Sequence, residues 1–124
     1  MKINIPLEIT LEHFESVIVT ALEGGSNYWY YLPDQPSLKF NESLKGNSLS
    51  IKIANSLFND PEYSLNVYDA EDEEILLGSI TQVSLIKAFQ DNPEKTLDII
   101  NGDYDAWTAD ALFQCAVIGE VIFG

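Results

Sequence analysis

The sequence predicts a single α+β domain over residues 1–124: a small antiparallel sheet with four to five helices packed mainly on one face. Three observations carry that expectation. Two alternating segments, Ser64 to Tyr68 and Ile75 to Ile80, flank an acidic connection, as the strands of a hairpin do. Several other stretches gather their apolar residues on one helical face and begin at a capping residue. The first of these stops at Gly24 and Gly25 and runs into Tyr28, Trp29, Tyr30 and Tyr31, aromatics that hold a large share of the chain's capacity for burial.

Taken in order, Ile3, Ile5, Leu7 and Ile9 alternate with polar residues, a strand signal that Pro6 confines to an edge or a strand end. Thr10 caps a first helix with Leu11, Phe14, Ile18, Ala21 and Leu22 on one face. Glu12 and Glu15 lie near its N-terminus, where the helix dipole favours acids. Gly24 or Gly25 is expected to end it in the left-handed conformation. Leu32 to Gly46, with Pro33 and Pro36, reads as a long loop holding one short strand at Leu38 to Phe40. Leu49 to Phe58 fits both periods. A cap at Asn47 or Ser48 and Pro61 beyond its end favour a helix.

The hairpin follows, with Asp69 to Glu74 as its connection and Gly78 as the site of a bulge. Thr81 caps a helix bearing Val83, Leu85, Ile86 and Phe89. Asn92 before Pro93 starts another, which runs to Ile100 and breaks at Asn101, Gly102 and Asp103. Asp105 caps the last helix, with Ala109, Leu112, Phe113, Ala116 and Val117 on one face and Gly119 weakening it. The apolar end Val121, Ile122, Phe123 and Gly124 is expected to be tied down, against the core or a second copy.

Charge narrows the function. Twenty acids face six lysines and no arginine, a net charge of −14. Without arginine there is no bidentate phosphate fork, and no basic patch can be assembled. Direct binding to nucleic acid or to an anionic membrane is therefore not expected. No run approaches the roughly 18 apolar residues of a membrane span, and the N-terminus has no signal-peptide core, so cytoplasmic residence is the expectation. Cys115 is a single cysteine beside Phe113 and Ala116, expected to be inert packing.

Catalytic and metal signals are weak. The single histidine, His13, sits in a first helical turn and reads as a capping or surface residue. The acids from Asp69 to Glu74 lack the glycine of a calcium loop, and residues 101–105 lack its spacing. No phosphate loop or zinc spacing occurs. The sequence therefore predicts no enzyme, no metal and no cofactor.

What stands out is the density of carboxylates. Seven lie between Asp60 and Glu74 (Asp60, Glu62, Asp69, Glu71, Asp72, Glu73 and Glu74), and no lysine occurs between Lys52 and Lys87. Such a cluster repels itself. It reads either as a solvated turn or as a surface that offers carboxylates where a basic site expects phosphates. The second concentration is aromatic. Ser26, Asn27, Tyr28, Trp29 and Tyr30 read either as core and helix stop or as the wall of a small-ligand pocket, with the stretch from Asp105 to Asp110 completing it.

Two patches carry a resemblance. Ala21 to Tyr30, containing Glu23-Gly24-Gly25-Ser26-Asn27-Tyr28-Trp29-Tyr30, is one. Asp105 to Gly124, with Thr108-Ala109-Asp110, Phe113-Gln114, Ala116, Gly119-Glu120 and Gly124, is the other. Together they resemble a family of small acidic proteins encoded by bacteriophages and mobile elements. Tyr68 to Asp72, with Leu77 and Gly78, resembles that family's middle strand and turn. The resemblance covers nearly the whole chain, and it implies a phage-like setting without catalytic residues to carry over. In such a setting, small acidic proteins often disarm host nucleic-acid-binding machinery.

The expected function is thus a phage-type inhibitor or modulator in the host bacterial cytoplasm. It would bind a basic host protein, such as a CRISPR effector, restriction enzyme, nuclease or transcription protein, through a phosphate-mimicking acidic face. A ligand-sequestering protein using Ser26 to Tyr31 is the alternative. A structural protein that forms homo-oligomers through its apolar C-terminus is a third reading.

Overall fold

The computed structural model describes residues 1, 6–32 and 47–124; the alternation at Ile3 and Ile5, most of the 32–46 loop and the strand expected at Leu38 to Phe40 lie outside them. The described chain runs α1 (Leu11–Thr20), β1 (Tyr30–Tyr31), α2 (Leu49–Asn59), β2 (Ser64–Asp69), β3 (Leu76–Thr81), α3 (Gln82–Asp91), α4 (Pro93–Asn101) and α5 (Ala106–Ile118). This is the expected α+β class, and the ambiguous stretch after Ser48 is a helix.

Local chemistry sets most boundaries. The Thr81 hydroxyl accepts from Ser84 N at 3.1 Å, and the Ser84 hydroxyl accepts from Thr81 N at 2.9 Å, a capping box that starts α3. Asn92 and Pro93 open α4. Asp105 Oδ1 accepts from Thr108 N at 2.9 Å and opens α5. Gly102 (φ 75°) ends α4 and Gly119 (φ 95°) ends α5, each in the left-handed region. Gly119 therefore terminates the last helix rather than weakening it.

The end of α1 differs from expectation. The helix widens into a π-helical turn, Ala21–Gly25, and Ser26 N donates to Ala21 O at 2.9 Å. Gly24 is extended (φ 161°), and a Cβ there would meet nothing. The left-handed stop is absent. Gly25 is the tight position, because a Cβ there would lie 3.1 Å from both Thr20 O and Ala106 O, the latter at the start of α5.

The sheet order is β1-β2-β3, antiparallel throughout. Tyr30 pairs with Asp69 and Tyr31 with Tyr68. Between β2 and β3 the register runs from Ser64↔Thr81 to Val67↔Gly78 and then jumps to Tyr68↔Leu76, leaving Leu77 as the extra residue of a bulge beside Gly78. A Cβ on Gly78 would overlap the Val117 carbonyl oxygen, so α5 reaches the sheet only over a glycine.

One face of the hairpin is apolar, with Leu65, Val67 and Ile80 buried. On the other, Ser79 Oγ donates to Asn66 Oδ1 at 2.6 Å in an exposed pair. The helices supply Phe14, Val17, Ile18, Ile53, Leu57, Leu85, Phe89, Leu112 and Phe113 to the same core. Burying each large apolar side chain of this kind stabilises by about 1.5–3 kcal/mol. Among the described residues no helix is long and apolar enough to cross a membrane.

Candidate functional site

α5 is buried almost all round, from Thr108 to Gln114. An acid in such a helix must be satisfied by donors, because an unpaired buried carboxylate costs several kcal/mol. Asp110, 1 % exposed, meets that requirement from the aromatic stretch. Its Oδ1 accepts from Ser26 Oγ at 2.6 Å and from Trp29 Nε1 at 2.7 Å. Its Oδ2 accepts from Tyr28 OH at 2.5 Å and from Gln114 Nε2 at 3.0 Å. Four donors fill both oxygens. Partial desolvation, and then the Asp110 carboxylate beside it, push the Tyr28 phenol up to about 12.

Gln114 extends the cluster to the chain's end. Its Oε1 accepts from Ile122 N at 3.0 Å and Phe123 N at 2.9 Å, while its Nε2 also donates to Phe123 O at 3.1 Å. The Phe123 ring stacks on Trp29 with centroids 5.2 Å apart and planes 8° apart. The apolar C-terminus is tied to the core, as one branch of the expectation had it.

The two patches singled out in the sequence thus meet. Ser26 and Trp29 are buried, with their polar atoms committed to Asp110. Tyr30 packs edge-on against Trp29 and Phe113 and donates to Leu22 O at 2.8 Å; burial raises its phenol. Asn27 is exposed in the turn. Of the five candidate ligand residues, Tyr28 lines a hollow of about 400 Å³ with Trp107 and Asp110, and Tyr30 lines a smaller one of about 170 Å³ with Leu22 and Ser50. The pocket reading sets Asp105 to Asp110 beside Ser26 to Tyr31, and the two stretches do meet, but the sequence spacing does not mark Asp110 as their shared acceptor. The usable signal was an acid surrounded by apolar residues in the last helix.

The acidic candidates lie elsewhere and are built differently. Asp69 Oδ1 accepts from Glu71 N at 2.8 Å, and Asp72 Oδ1 from Glu74 N at 3.1 Å. Asp60 does the same for Glu62 N at 2.9 Å. Each aspartate folds the backbone of its own turn. Further backbone bonds close the connection: Asp69 N to Ile75 O and Ile75 N to Asp72 O, both 3.0 Å. Glu62, Glu71, Asp72, Glu73 and Glu74 are exposed, while Asp60 and Asp69 are half-buried. Among the described residues no group of three or more His, Cys, Asp or Glu is placed to hold a metal ion.

The remaining candidates have local explanations. His13 Nδ1 accepts from Thr10 N at 3.0 Å, so the histidine caps α1. Cys115 is half-buried and borders a concavity of about 630 Å³ between α3 and the end of α5. Comparison of the chain with family models, with curated proteins and with solved structures finds no match.

Proposed function

We propose that the protein is an acidic inhibitor or modulator of a basic, nucleic-acid-handling host protein, docking through the turn between β2 and β3. The observation that carries this reading is the exposed run Glu71, Asp72, Glu73 and Glu74 on a hydrogen-bonded turn, within a chain of −14 charge and no arginine. Aspartates that fold the turn cut the entropy lost when glutamates beside them meet a partner. Duplex DNA carries about one charge per 1.7 Å of axis, and consecutive exposed acids approach that density. The phage-like setting implied by the resemblance agrees with such a role.

The test begins with capture of a partner from a bacterial host, followed by titration at low and high salt with and without duplex DNA. Affinity is expected to fall as salt rises, and DNA is expected to compete. Salt-insensitive binding that DNA leaves undisturbed would remove phosphate mimicry.

A further inference from the structure

The hollow at the start of α5 joins three features that the acidic turn does not share. Tyr28 and Trp107 line it, each half exposed. Asp110 lies beneath, almost fully buried, with both oxygens already accepting two hydrogen bonds. No lysine, arginine or histidine is among the residues that line it. A carboxylate has about four lone-pair directions, so Asp110 brings charge to the hollow but no spare acceptor. That combination is poor for reading the N–H edge of a nucleobase and suited to a cation that needs field rather than hydrogen bonds. Aromatic rings add to the attraction, since a cation within about 6 Å of a ring centroid is drawn by its quadrupole. The Tyr28 phenol donates to Asp110, which makes its ring richer in electrons. The dipole of α5 opposes a cation at this end. The exposed Asp105 carboxylate at its N-cap counters it.

We infer that this hollow, over Tyr28, Trp107 and Asp110, binds an organic cation without N–H donors, a quaternary ammonium head group. The inference does not depend on the acidic turn. The cation comes as a free small molecule, since the N–H donors of an arginine side chain would find no free acceptor on Asp110.

Trp29 and Trp107 give two indole N–H signals, and Trp29 reports on the buried hydrogen bond to Asp110. Choline, its uncharged isostere with carbon in place of nitrogen, and N-acetyl-argininamide are titrated separately while both signals are followed. A saturable shift of the Trp107 signal is expected with choline, and the isostere is expected to bind at least about tenfold more weakly. Trp107→Ala is expected to weaken choline binding, read by titration calorimetry, by about tenfold, while the Trp29 signal of the free variant stays in place, which shows the fold intact. N-acetyl-argininamide is expected to bind more weakly than choline, because its N–H donors meet no free acceptor, and tighter argininamide binding overturns the inference. Equal binding of the isostere, undiminished binding in Trp107→Ala, or no saturable shift with choline overturns the inference. Salt-sensitive capture of a basic partner is a separate readout and stands or falls independently.

Discussion

Asp110 and Asp72 are both carboxylates that accept hydrogen bonds, yet they organise the chain on different scales. Asp72 takes its bond from Glu74 N, two residues along. Asp110 takes three of its four from residues 81 to 84 positions away in sequence. The first shapes a turn that solvent surrounds. The second ties α5 to the aromatic stretch from inside the core. Trp29 touches both regions: its indole donates to Asp110, and its carbonyl accepts from Ala70 N at 3.0 Å in the acidic turn. Burial, rather than acid count, decides which carboxylates the fold depends on.

The strongest way to break this contrast is Asp110→Leu. Several buried donors would lose their acceptor at once, and unfolding in denaturant should show a loss of about 4 kcal/mol. A loss under about 1 kcal/mol would place Asp110 with the surface acids. Next in size is Gly78→Ala, which sharpens the role of α5 by testing where it leans on the sheet. The added methyl would meet the Val117 carbonyl, and a cost of about 3 kcal/mol is expected in the same measurement. The smallest effect on stability belongs to the combined replacement of Glu71, Asp72, Glu73 and Glu74 by glutamine. It should change unfolding free energy by no more than about 0.5 kcal/mol, with relieved repulsion offsetting the weakened turn. Its effect on a captured partner's affinity should be large. Unchanged affinity in the folded variant would remove the turn from the interface.

The sequence was most legible where a single residue type carries the instruction. Thr81, Asn92 with Pro93, and Asp105 each mark a helix start, and the structure begins α3, α4 and α5 there. The alternation of Leu65 and Val67 placed β2, since a half-buried strand repeats every two residues. Backbone angles were less legible. Gly24 was a reasonable left-handed stop, but the chain turns through a π-helical widening, and the close approach falls on Gly25. Gly78 was marked for a bulge, and the bulge is there, yet its stronger constraint comes from Val117, 39 positions later. The Asp110 cluster was the least legible, because no local pattern records which distant donors a buried acid will meet.

Gln114 holds the end of the chain through its main chain alone. Its amide serves Ile122 and Phe123 much as a neighbouring strand would, offering one acceptor and one donor to a passing peptide. The grip therefore cannot distinguish one side chain from another at position 122, where Ile122 is half exposed. That position is open to drift or to a chemical label. Proline is the exception, since it would remove the N–H that Gln114 grasps. Position 123 has no such latitude, because its ring lies against Trp29.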